Sequence, residues 1–240
     1  MVLPSFLTVL LSSLTSLTSF GGSTFYNPNA VIGAAYQPRA QSPSEDISLL
    51  VAYHLALIKG NLTQETYEAS QPSDEQRAAW RKVIGDLLEV PKGRVRCSDI
   101  RKNIPDELKG IYTVAVVDRG RFCALVERDT VGEGDDKQFG KGWGLFVVPA
   151  QRDIKTSKSL HLSAPHPVWE LSTAQQAAFV FEWTGAESLY IPGRAYKALL
   201  KETDCGFSTE SEKYWKTDPV HDKVCCVRRV QWRMVDVIGV

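Results

Sequence analysis

Between residues 159 and 193 the chain spells strand, helix and strand in quick succession, and few folds accept that order. Ser159 to Ala164 (SLHLSA) reads as a strand that stops at Pro165-His166-Pro167, where the flanking prolines force an extended exit. Ser172, with Gln175 three residues on, has the form of a capping box. The helix it opens carries Ala174, Ala177, Ala178 and Phe181 on one side and is followed by Gly185. Glu187 to Ile191 is then strand again, closed by Pro192-Gly193. Such a unit crosses over right-handed and makes its two strands parallel. Ligands of sheets of this kind sit beyond the carboxyl ends of the parallel strands, here Pro165-His166-Pro167 and Gly193-Arg194.

The rest of the chain must supply the layers around that unit. Ser42-Pro43-Ser44-Glu45 has the form of a capping box, and Ile47, Leu50, Val51, His54, Leu55 and Ile58 follow at helical spacing up to Gly60. A second box, Ser73 to Gln76, opens a helix whose apolar stripe is Ala79, Trp80, Val83, Ile84, Leu87 and Leu88. Ile111 to Val117 and Phe122 to Glu127, joined by Asp118-Arg119-Gly120-Arg121, read as a hairpin. A polar loop, Arg128 to Gly142, leads to a third strand over Trp143 to Val148. The expected architecture is α/β: a mixed β-sheet with an N-terminal helical pair, an antiparallel hairpin and a C-terminal parallel βαβ unit, with helices on both faces.

A length of 240 residues allows one sizeable core and falls short of two ordinary ones. Lysine plus arginine (28) balance aspartate plus glutamate (28), so no global field draws the chain to nucleic acid or an anionic membrane. The short basic segment with Arg228, Arg229 and Arg233 is explained by a solvated strand face. Met1 to Phe20 is apolar and rich in Ser and Thr, and no charged residue precedes Arg39. It reads as a signal peptide, too short and hydroxyl-rich for a stable membrane insertion, with a disordered tail as the other reading. The expected layout is signal peptide 1–20, linker 21–41, one domain 42–222 and an atypical tail 223–240. Secretion would make Asn61-Leu62-Thr63 a glycan acceptor in an oxidising compartment. Cys97, Cys123, Cys205, Cys225 and Cys226 then allow up to two disulfides whose pairing the sequence leaves open. Cys123, inside a strand, reads as a small buried side chain.

Candidate chemistry gathers at the strand exits. His166 leaves the first parallel strand and Glu170 lies four residues on, while Asp218 and His221 stand at a spacing that puts both on one side of a turn. Two imidazoles and two carboxylates suit zinc or another divalent ion, with water in the open position as the nucleophile and one carboxylate to take its proton. The same spacing equally fits a loop histidine, a solvated glutamate and an Asp-Pro turn. Arg194 is placed either to bind an anionic group of a substrate or as a plain surface cation. His54 and His161 read as satisfied structural residues.

Tyr112 to Val117, Leu125-Val126-Glu127, Gly142-Trp143-Gly144, Ala164-Pro165-His166-Pro167, Thr173 to Ala177, Ile191-Pro192-Gly193, Cys205 and Asp218-Pro219-Val220-His221 together resemble an uncharacterised family of secreted fungal and bacterial proteins. The resemblance covers roughly residues 112–222 and implies that His166, Asp218 and His221 share a site, with Glu127 a weaker catalytic member beside Glu170. The chain departs from the pattern at Ala195 and Tyr196, where a His-Arg pair is usual, and at Glu170, where Asp is usual. Two expectations follow: a secreted metal-dependent hydrolase-like protein acting on a small molecule or polymer, or a secreted binding protein without catalysis, its site degraded and no cofactor needed.

Overall fold

The computed structural model describes residues 46–58, 60–150 and 157–201. All of them fall within one compact unit. The first helix, α1 (Ile47–Ala56), is capped by Asp46, whose side chain accepts from the Ser48 N–H; the box expected at Ser42 to Glu45 lies outside the described residues. A short helix that the sequence pattern does not announce, α2 (Gln64–Ala69), opens on a reciprocal cap between Thr63 and Thr66. The box at Ser73 forms as expected and starts α3 (Asp74–Leu88). A second unannounced helix, α4 (Cys97–Lys102), precedes the hairpin of β1 (Tyr112–Val117) and β2 (Phe122–Glu127). The loop after β2 folds into a small ribbon of β3 (Thr130–Val131) and β4 (Gln138–Phe139). Then come β5 (Leu145–Pro149), β6 (Ser157–Ser163), α5 (Thr173–Thr184) and β7 (Ala186–Ile191).

The main sheet has five strands in the order β1-β2-β5-β7-β6. Among the described residues only the β6 and β7 pair is parallel in this sheet, so the βαβ unit and the antiparallel hairpin sit in one mixed sheet as expected. Two antiparallel steps separate β2 from β7, so β2, β7 and β6 run in the same direction. Their carboxyl ends therefore share one end of the sheet.

Alternation along the strands sends side chains to two separate cores. On one face Val114, Leu125, Phe146 and Tyr190 pack on Trp80, Val83, Ile84 and Leu87 of α3. On the other, Ala124, Val147, Leu189 and Ile191 pack on Ile47, Leu50 and Val51 of α1 and on Ala174, Ala178 and Phe181 of α5. Helices thus cover both faces. Ile84 and Leu87 have 0% exposure, and truncating either to alanine should cost about 2–5 kcal/mol.

One local expectation is corrected. Ser172 precedes α5 with a left-handed φ of 62° and makes no side-chain cap, so no capping box forms there. Cys123 is buried as expected, and it is also bonded to Cys97, with Cα atoms 5.9 Å apart, which fastens α4 to β2. Cys205, Cys225 and Cys226 lie outside the described residues. Among the described residues no helix is long and apolar enough to cross a membrane.

Candidate functional site

At the end of β6 the chain turns once before α5 begins. The Trp169 and Glu170 N–H groups both donate to the His166 carbonyl, at 3.1 and 3.0 Å, and this closed turn places residues 166 and 170 on the same side. The His166 Nδ1 and Glu170 Oε1 atoms are 3.2 Å apart, with the imidazole largely covered (14% exposed) and the carboxylate open to solvent (46%). A carboxylate accepting from Nδ1–H fixes the ring and leaves the lone pair on Nε2. Glu170 therefore orients His166 in this structure.

Around this pair stand three residues that the sequence reading does not select. The His166 and Tyr196 rings lie 5.0 Å apart, Tyr196 and Trp169 lie 5.4 Å apart, and the Lys197 ammonium sits 4.7 Å from the Trp169 ring centre. Trp169 is 58% exposed. An aromatic residue of that size beside a turn with two prolines is the available signal, since an indole ring offers a large flat face with a polar edge to a ligand.

Arg194 and Glu127 are placed quite differently, although both lie at the same end of the sheet. The Glu127 carboxylate accepts from the N–H groups of Lys141 (2.6 Å), Gly142 (2.9 Å) and Trp143 (3.2 Å). Tyr112 also offers its hydroxyl to Glu127, at 3.3 Å. Burial pushes the Glu127 carboxyl above its usual pKa, and the three backbone donors oppose that shift. Arg194 grips the same segment from the other side, donating to the Lys141 carbonyl at 2.8 Å and to the Ser70 carbonyl and hydroxyl at 3.0 Å each. Only 6% of its surface is exposed, and its guanidinium lies over the Tyr67 ring. Burial also lowers the Arg194 pKa from the ordinary arginine value, with Tyr67 and Glu127 acting against that.

These contacts correct two expectations. Arg194 is not a surface cation but a buried brace whose guanidinium is engaged by Ser70 and Lys141, and the oxygens of Glu127, expected to assist catalysis, accept from the backbone. Glycine makes the brace possible. Gly142 adopts φ +71°, and a Cβ there would meet the Gly193 carbonyl at 2.8 Å, so two backbones touch where side chains would hold them apart.

His54 and His161 fulfil the structural expectation. His54 Nε2 is 3.0 Å from the Pro192 carbonyl, and burial lowers its pKa from 6.5 to about 4, so the ring is neutral near pH 7. His161 Nδ1 is 2.8 Å from the Ser188 hydroxyl.

Asp218 and His221 lie outside the described residues. Among the described residues no three His, Cys, Asp or Glu side chains come together to hold a metal ion. The donors that are placed, one imidazole and the carboxylate that orients it, fall short of the three protein ligands of a catalytic zinc site. Comparison of the chain with protein-family models, with curated proteins and with solved structures finds no match.

Proposed function

We propose that this is a secreted protein with a metal-assisted, hydrolase-like site at the carboxyl end of β6, built on His166 and completed by Asp218 and His221. The observation that carries the reading is the Glu170 to His166 contact of 3.2 Å at the strand exit, because metal-binding histidines characteristically donate their second ring N–H to a carboxylate. When bound, a zinc ion would supply an activated water. The chain's own part is to hold the His166 ring through Glu170 and to present Tyr196 and Trp169 as walls for a substrate. Here Glu170 is a positioning residue, not the proton acceptor the spacing alone suggested.

Secretion is supported by the Cys97–Cys123 bridge, since disulfides persist in oxidising compartments. The exposure of Asn61 between α1 and α2 supports glycosylation at that acceptor.

Purified full-length protein should bind one equivalent of zinc in equilibrium dialysis. His166→Ala and His221→Ala should each lose it, and Glu170→Gln should bind roughly 10- to 100-fold more weakly. Folded protein that takes up no zinc at micromolar concentration sinks the enzymatic reading. The second reading, a binding protein without catalysis, rests on the exposed Trp169 with Tyr196 and Lys197 beside it. That cluster needs no metal to hold a ligand.

A further inference from the structure

A cavity of about 310 Å³ opens between α1 and the β1, β2 and β5 side of the sheet, and none of its lining residues belongs to the β6 exit. It lies at the lower end of the range for small-molecule sites. Its existence follows from the sheet surface beneath it: Ala115, Val117 and Val126 are small or short side chains, and α1 stands over them without filling the space. The inner wall is fixed before any ligand arrives. The Phe139 N–H donates to the Leu57 carbonyl at 2.8 Å, the Phe139 ring lies 4.9 Å from that of His54, and His54 is held on Pro192.

Among the described residues the titratable groups lining this space are Tyr53, His54, Glu127 and Arg128. The imidazole of His54 is neutral near pH 7, and the carboxylate of Glu127 is engaged by backbone N–H groups. Arg128 lies two residues beyond Val126, on the same side of the chain, and is exposed at the cavity. It forms no ion pair among the described residues. An apolar pocket with one guanidinium at its mouth favours a molecule with a hydrocarbon body and a single negative end. With the Glu127 carboxylate already engaged by backbone N–H groups, a cation would find no exposed carboxylate at the mouth, and a polyanion would find one exposed positive charge and apolar walls.

We infer that this cavity binds a small apolar monocarboxylate, its hydrocarbon body against Val117, Val126 and Phe139 and its carboxylate at Arg128. The inference stands apart from the His166 reading and needs no metal. Calorimetric titration of the full chain with octanoate, 1-octanol and octylamine tests it. Octanoate should bind saturably at one per chain, more tightly than the alcohol, with the amine weakest. Arg128→Ala should weaken octanoate about tenfold, the equivalent of one charge-assisted contact, and leave octanol unchanged. Ala115→Phe, at a partly exposed position, should fill the space and abolish binding of both, with a far-ultraviolet spectrum confirming the fold. Absent saturable binding to the unmodified protein, octanol or octylamine binding as tightly as octanoate, or Arg128→Ala behaving like the parent overturns the proposal.

Discussion

Glu127 near Arg194, and Glu170 against His166, set a carboxylate beside a basic side chain twice at one end of one sheet, and the two handle water in opposite ways. The first pair is buried, and its charged atoms hydrogen-bond to backbone groups and to hydroxyls. The second pair touches within itself and keeps its carboxylate half open. Charge in the first pair serves to hold the 141–143 segment in a conformation that only glycine at 142 permits. In the second, the Glu170 carboxylate stays in contact with solvent. Residue type and strand-end position therefore do not identify a site; the number of partners already satisfied does.

The sharpest way to break the contrast is Glu127→Ala. It strands three buried N–H donors and leaves Arg194 without its nearby acid, so urea unfolding should show a loss of about 3–5 kcal/mol. A loss below about 1 kcal/mol would mean that the segment relaxes freely and that the brace is ornamental.

Acid tests the same distinction on the α1 side. The folded His54 pKa of about 4 lies below the unfolded value of 6.5, so as pH falls the unfolded chain takes up the proton first. Stability from this residue is complete above pH 6.5 and is lost towards pH 4, by about 3 kcal/mol in all. Denaturation midpoints measured across that window should fall steadily in the parent and less in His54→Gln. The smallest effect belongs to the open turn: Trp169→Ala, at a position 58% exposed, should shift stability by no more than about 0.5 kcal/mol. A larger cost would make Trp169 part of the core and remove it as a ligand wall.

The parts of this fold that depend on neighbours in sequence were readable in the sequence. The parallel unit, the hairpin and the cap at Ser73 each follow from residues within a few positions of one another. The two six-residue helices, Gln64–Ala69 and Cys97–Lys102, were not, since one and a half turns carry too little periodicity to stand out. The Ser172 box has the right letters, but that residue takes a left-handed backbone and its side chain makes no cap hydrogen bond. Contacts between distant segments escaped as well. Cys97 pairs with Cys123 across 26 residues, and Arg194 reaches Ser70 across 124. Of the candidate site, the His166 and Glu170 pair was legible because a single turn joins them. Its aromatic surroundings were not, because Tyr196 and Lys197 come from the segment after β7.

The bridge from Cys97 to Cys123 joins helix to sheet on the α3 flank, whereas α1 and α5 hold the opposite flank without a described covalent tie. The molecule is thus vulnerable on two sides to two unrelated insults. Thiols loosen one flank and leave the other packed; mild acid, acting on His54, does the reverse. A chain exposed to both in turn would come apart by a different route in each surrounding.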